Sequence, residues 1–322
     1  MKLLICGGAG FIGVNFIEYM LGAHPGYNYL CYDKLTYAAN PARIRELCER
    51  HTNLRFVKGD ICDREGVYSL FEKESFDAVI NFAAESHVDR SIEVPDIFIT
   101  TNVTGTGILL DACLRYGGVR FHQISTDEVF GDLPFESEYA FTEKDRLNPS
   151  SPYSASKASA DLLALSYHRT YGLPVTVSRS SNNYGPYQHS EKLIPLMIKK
   201  ALKGENLPVY GDGRNLRDWL YVGDHCKAVD LILHKGRAGE IYNVATEKEQ
   251  SNLETVKAVL SLLGRDESLI SFIKDRPGHD LRYAVDCSKI KNELGWSAVT
   301  DFSNGLALTV QWYSNRFNKE DI

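Results

Sequence analysis

An α/β fold, a doubly wound parallel sheet carrying a smaller mixed α/β unit, is predicted from three observations. Short apolar runs recur through the first 180 residues, the stretches between them carry helical periodicity, and a glycine-rich turn follows the first run. That run, residues 3–6, leads into Gly7-Gly8-Ala9-Gly10-Phe11-Ile12-Gly13. Ile12, Phe16, Ile17, Met20 and Leu21 then recur at helical spacing, giving strand, turn and helix. Further strands are expected at 29–32, 54–57, 78–82, 121–124 and 175–177, with helical patterns between them such as Ile108, Leu109, Ala112 and Leu114. Beyond residue 180 short mixed elements alternate with turn signals, Tyr184-Gly-Pro186, Tyr210-Gly-Asp-Gly213 and Arg276-Pro-Gly278, which reads as a substrate cap. The division expected is 1–180 with a return segment at 218–243 for the first domain, and 181–217 with 244–322 for the second. The last six residues are expected to fray.

Composition narrows the function. A chain of 322 residues, 43% hydrophobic and 24% charged, is long enough for a sizeable core. No apolar run approaches the ~18 residues of a membrane span, and residues 2–6 are too short for a signal segment, so neither membrane nor export is expected. The net charge of −6 disfavours nucleic acid as a partner. Seven cysteines without a CxxC pair indicate neither disulfides nor zinc, and most are expected to be small buried apolar residues. His87 and His279 have no further ligand spaced to help them, so no metal is expected. The expected location is cytoplasmic.

Glycines at a strand-to-helix turn let the backbone approach a pyrophosphate, and the helix N-terminus behind them offers free amides. Asp33 comes 20 residues after Gly13, at the end of the second apolar run, where an acid takes the ribose hydroxyls of NAD and argues against NADP. This is the pattern of a Rossmann-type sheet. The spacing alone does not separate one class of dinucleotide binder from another.

Two further groups carry chemistry. Tyr153 and Lys157 stand four apart in a helix-compatible run, so both emerge from one face, and an ammonium beside a phenol, with a positive nicotinamide near, would favour phenolate. Asp127 and Glu128 follow Thr126 at the C-terminal end of the run 121–124, the sheet edge where ligands bind. Adjacent carboxylates there can divide acid and base roles in an elimination. A solvated loop after a strand is the alternative for Asp127-Glu128 taken alone.

These motifs are joined by Asp33-Lys34-Leu35-Thr36-Tyr37, Gly59-Asp60-Ile61, Ala83-Ala84-Glu85-Ser86-His87-Val88-Asp89-Arg90-Ser91, Ser125-Thr-Asp-Glu-Val129, Ser151-Pro-Tyr-Ser-Ala-Ser-Lys157, Ser181-Asn-Asn-Tyr-Gly-Pro-Tyr187, Glu191-Lys-Leu-Ile-Pro195, Arg217-Asp-Trp-Leu220 and Arg276-Pro-Gly-His-Asp280. With them the chain resembles, over nearly its whole length, the extended short-chain dehydrogenase/reductases, and among them the nucleotide-sugar 4,6-dehydratases. The resemblance implies NAD as cofactor and a nucleotide-hexose as substrate, with dTDP-glucose expected. A UDP sugar, UDP-N-acetylglucosamine or UDP-glucose, is the alternative, since thymine and uracil differ by one methyl. A nucleotide-sugar 4-epimerase would share Tyr153, Lys157 and NAD but needs no Asp127-Glu128 pair.

By the same resemblance, Thr126, Asp127, Glu128, Tyr153 and Lys157 are the catalytic residues. Gly7, Gly10, Phe11, Ile12, Gly13, Asp33, Lys34, Thr36, Asp60, Ile61, Phe82, Ala83, Ala84, Thr101, Ser125 and Asn183 join Tyr153 and Lys157 around the cofactor. Ser86, Asn182, Glu191, Lys192, Leu193, Pro208, Tyr210, Arg217, Asn252, Arg276 and His279, with Thr126, face the substrate, and Arg217 and Arg276 are expected on its pyrophosphate. The chain departs from the family pattern at Phe130, usually Tyr, at Ala39, usually Gly, and at Ala245-Thr246, usually Gly-Gly. Phe130 is expected to alter a supporting hydrogen bond or the sugar pocket. A homodimer is implied, paired through the helix bearing Tyr153 and its neighbour near 101–114 into four helices.

Overall fold

The computed structural model describes residues 1–317, so the expected fraying of the last six residues falls, Phe317 apart, outside the described chain. The predicted strands form as β1 (Lys2–Cys6), β2 (Asn28–Asp33), β3 (Leu54–Lys58), β4 (Ala78–Asn81), β5 (Arg120–Thr126) and β6 (Val175–Ser180). The later chain adds β7 (Asn182–Tyr184), β8 (Leu207–Tyr210), β9 (Leu216–Tyr221), β10 (Ile241–Val244), β11 (Glu249–Ser251) and β12 (Ile270–Ile273). The main sheet has seven strands in the order β10-β6-β5-β4-β1-β2-β3. Every neighbouring pair in it is parallel. The fold class is therefore the predicted one, with helices on both faces.

The sheet holds together because each strand is apolar on both sides. In β1, Leu4 and Cys6 enter one core while Leu3 and Ile5 enter the other, and all four are fully buried. This two-sided burial is why the parallel strands read as unbroken apolar runs. Five of the seven cysteines are buried, as expected. The chain runs outward from β1 to β2 and β3, then crosses back to β4. This reversal between β1 and β4 opens a crevice at the carboxyl ends of the strands.

β7, β9 and β11 form a three-stranded sheet and β8 pairs with β12, together making the second unit over that crevice. Residues 218–221, the start of what the sequence assigns to the return segment, belong to β9 and pair with β7 and β11. The return to the main sheet begins four residues later than expected, with the helix Val222–Lys235. The reason is in the pairing: Trp219 and Leu220 register with Asn182 and Asn183 of β7.

The helix from Asp96 to Arg115 is long and apolar enough by composition to cross a membrane, with a mean hydropathy of 1.4, although its sequence holds no unbroken apolar run. More than half of its apolar stretch is buried against the rest of the protein. Its segment Ile99–Gly105 is a π-helical turn, the kind of irregularity that often marks a functional site. There Asn102 donates to Ser156 Oγ at 2.8 Å and to the Glu85 carbonyl at 3.0 Å, and accepts from the Glu85 amide at 2.8 Å. One buried amide thereby ties the loop after β4 to the helix carrying Tyr153.

Candidate active site

The cofactor end is shaped by close backbone approach. Gly7 has φ +70°, and a Cβ there would sit 2.4 Å from the Ala83 nitrogen; one on Gly13 would sit 2.4 Å from the Gly7 carbonyl oxygen. The helix Phe11–Ala23 starts at Gly10 with no side-chain cap, which leaves its first amides to a ligand. Asp33 closes β2, its two oxygens accepting from the Ala9 amide at 3.0 Å and the Leu35 amide at 2.7 Å. Burial raises its pKa, and the two amides and Lys34 oppose that rise.

At the catalytic end, Ser151 and Ser154 form a capping box that starts the helix Pro152–Tyr171, with Pro152 in its first turn. This places Tyr153 and Lys157 one turn apart, and Lys157 Nζ donates to the Ile124 carbonyl of β5 at 2.7 Å. Burial lowers the Lys157 pKa to about 8. The phenol of Tyr153 is pushed up by burial and then by Glu128, against a Thr126 hydrogen bond that pulls it down. This differs from the lowered phenol expected from the sequence, because removal from water and the carboxylates of Glu128, Asp127 and Asp161 raise it in the protein alone.

Thr126 ends β5 and caps the short 3₁₀ turn Asp127–Phe130, its Oγ1 accepting from the Glu128 amide at 3.3 Å. Asp127 lies beneath, 3% exposed, with the Thr126 hydroxyl 3.3 Å from its Oδ1. Burial pushes the Asp127 pKa well up, and Glu128 and Asp218 add to it. Glu128 is also raised by burial, but Arg217, Arg276 and Lys192 all pull it back. The two carboxylates therefore occupy contrasting fields, the arrangement that separates an acid from a base.

At the far end Arg217 donates to the carbonyls of Leu216 at 2.7 Å, Leu281 at 3.3 Å and Asp280 at 2.9 Å, with its guanidinium over the Tyr283 ring at 4.5 Å. So held, it acts as a fixed positive charge. Arg276 donates to Asp89 at 3.1 Å, and its buried Nε has no partner among the described residues. Lys192 donates to the Ser86 carbonyl at 2.7 Å, joining the two units across the cleft.

All the predicted site residues line one cleft of about 490 Å³ except Asp127, which sits just behind its wall. Ser125 Oγ, Asn182 Oδ1 and Asn183 Oδ1 are buried along it without partners among the described residues, polar atoms that a bound ligand would satisfy. The sequence missed Tyr283 and Gln188, for which no motif signal exists. Asp89 and Asp280 lay inside quoted motifs without being singled out. Phe130 does not face the cleft: it is 1% exposed, stacked on Phe141 at 5.1 Å, so the sugar pocket does not feel its missing hydroxyl. Ala39 lines the cleft. Thr246 donates its amide, at 3.0 Å, and its hydroxyl to the Asp218 carboxylate that bears on Asp127. His24, Asp230 and His234 bring ligand-type atoms within 4.8 Å of one another, and none of the three lines this cleft.

The sequence profile of the family described as GDP-mannose 4,6 dehydratase matches residues 4–309. The chain belongs to that family. Within this dehydratase family it is similar to the dTDP-glucose 4,6-dehydratase of Haemophilus influenzae, 50% identical over 97% of this chain and 98% of the relative. The solved structure of DesIV, a dTDP-glucose 4,6-dehydratase of Streptomyces venezuelae with NAD and TYD bound, has a TM-score of 0.94 at 46% identity, covering 99% of this chain and 98% of that one. The UDP-glucose 4-epimerase of Thermotoga maritima, with UDP-glucose, reaches a TM-score of 0.91 at 28% identity, covering 98% and 100%. Dehydratase and epimerase share the scaffold, so what separates them is the chemistry of the site.

Proposed function

We propose that the chain dehydrates dTDP-glucose to dTDP-4-keto-6-deoxyglucose, with NAD as a cofactor regenerated each turn. The observation that carries this reading is the Asp127-Glu128 pair at the end of β5, beside Tyr153 and within reach of the crevice where a dinucleotide fits. The glycine turn that tolerates no Cβ, the uncapped helix and Asp33 are the features that would hold the adenosine diphosphate half. Bound NAD⁺ supplies the hydride acceptor at C4 and, reduced, the hydride donor at C6.

Tyr153 takes the C4 hydroxyl proton as that carbon is oxidised, with Thr126 hydrogen-bonded to the same oxygen and Lys157 beside the phenol. The 4-ketone acidifies the C5 proton, which Glu128 removes. Asp127, whose pKa burial pushes well up, turns toward the cleft and acts as the acid that gives a proton to the C6 hydroxyl, which leaves as water. Glu128 then returns a proton to C5. Arg276, with its free Nε, is the better ligand for the diphosphate; Arg217 opposes the rise that burial imposes on Glu128. Incubation with dTDP-glucose, UDP-glucose and UDP-N-acetylglucosamine, read by mass spectrometry, should give a dehydrated product most rapidly from dTDP-glucose. Preference for a UDP sugar would move the substrate and leave the chemistry.

The division into a cofactor domain and a sugar-nucleotide domain goes with this reading. So does a cytoplasmic location, favoured by seven thiols free of disulfides. A homodimer is favoured by the exposed apolar side chains of neighbouring helices: Ile99 is 49% exposed and Leu162 58% exposed, each beside a buried face. Light scattering should give twice the 36.2 kDa chain mass, and Leu162→Glu should shift it toward one chain. A wild-type protein that scatters as one chain at micromolar concentration would exclude the pairing.

A further inference from the structure

The arginine best placed for the diphosphate is itself held from the other unit. Arg276 follows β12, and its backbone is pinned by Asp275, whose Oδ1 accepts from the Arg276 amide at 2.8 Å and lies 2.6 Å from His279 Nδ1. Its guanidinium reaches the loop after β4, where Nη1 donates to Asp89 Oδ1 at 3.1 Å. The second oxygen of Asp89 accepts from the Tyr210 hydroxyl of β8 at 3.4 Å. Asp89, Tyr210 and Arg276 all line the cleft. Asp89 is fixed locally by the first turn of the helix Val88–Glu93. His87 caps that turn, its Nδ1 accepting from the Arg90 amide at 3.3 Å, and the buried Ser91 hydroxyl donates to the Val88 carbonyl at 2.6 Å. Three residues before Asp89, the Ser86 carbonyl takes the Lys192 ammonium, so this loop is tied to the smaller unit at two points.

We propose that Asp89 is a positioning residue for substrate binding, which fixes the Arg276 guanidinium so that its Nε edge meets the diphosphate; this rests on the nucleotide-sugar reading above. A guanidinium carries five N–H donors in a rigid fork. Asp89 takes the Nη1 corner, which leaves the edge bearing Nε, an atom without a partner among the described residues, for a ligand. That edge offers two parallel N–H groups, the match for two oxygens of one phosphate. Asp89 itself is no ligand for the diphosphate, since like charges repel; on Arg276 its charge is met by the guanidinium. Without the carboxylate the long arginine side chain regains its rotamers, and each binding event must order it again.

The test is calorimetric binding of dTDP to the NAD-loaded protein, beside turnover of dTDP-glucose. Asp89→Ala should raise the Kd of dTDP and the KM of dTDP-glucose together, by about tenfold, while kcat falls by less than about twofold. Asp89→Asn keeps an acceptor for Nη1 and should recover most of that loss. In an Arg276→Gln background, Asp89→Ala should weaken dTDP no further, because the group it orients is gone. Unchanged dTDP binding by Asp89→Ala overturns the proposal. So does a loss confined to dTDP-glucose, which would put Asp89 on the sugar, and so does a full further loss in the Arg276→Gln background. A folded wild type that binds neither dTDP nor dTDP-glucose overturns the parent reading instead, so the two failures are distinguishable.

Discussion

Glu128→Gln is expected to lower dehydration by about 10²–10⁴-fold while leaving cofactor binding and C4 oxidation in place. Glu128 lies on the cleft wall, where Arg217, Arg276 and Lys192 oppose the rise that burial imposes, while Asp127 is pushed up by burial, Glu128 and Asp218. The amide keeps the size of the side chain but cannot take the C5 proton. With the base gone, reduced cofactor should accumulate in a burst, visible by its absorbance, while the sugar stays at the oxidation stage. Full turnover by the variant would remove Glu128 from the role. Were the protein an epimerase, the substitution would leave inversion at C4 largely intact, which makes this variant a discriminator of function as well as of a residue.

Tyr153→Phe should act one step earlier, lowering C4 oxidation itself by a factor of the same order, with reduced cofactor formed only at that slowed rate. The wild type adds a pH signature. Burial holds the phenol above its ordinary value in the protein alone, so at neutral pH it carries its proton and the oxidation rate should rise as pH rises and it ionises. The gain should end as Lys157, lowered to about 8, loses its own proton and its help to the phenolate. Stopped-flow measurement of reduced cofactor across pH should show a rise that levels off near pH 8 in the wild type and a flat, low rate in Tyr153→Phe. A variant that keeps the rise would assign the proton transfer elsewhere.

The sheet was legible because parallel strands buried on both faces announce themselves as apolar runs, and the helix carrying Tyr153 announces itself by Ser151, Pro152 and the i,i+4 stripe. What escaped depends on distances that sequence spacing does not encode. Asp89 meets Arg276 across 187 residues. Arg217 looks in sequence like a free diphosphate ligand, yet three backbone carbonyls already occupy it. Phe130 reads as a missing hydroxyl near the sugar, whereas its ring turns into the core beneath Arg179. Trp219 and Leu220 read as the way back to the main sheet but pair with β7, because registry decides between sheets that apolarity alone treats alike.

The central claim is that one cleft oxidises C4, removes the C5 proton and expels the C6 hydroxyl of the same sugar. Reaction of dTDP-glucose in deuterium oxide, with the product read by mass spectrometry and NMR, tests it most directly. The predicted product has lost one water and gained a single solvent deuterium at C5, with the C6 hydride carried over from C4. Recovery of a sugar nucleotide of unchanged composition with C4 inverted, or a dehydrated product without solvent deuterium at C5, would contradict the account.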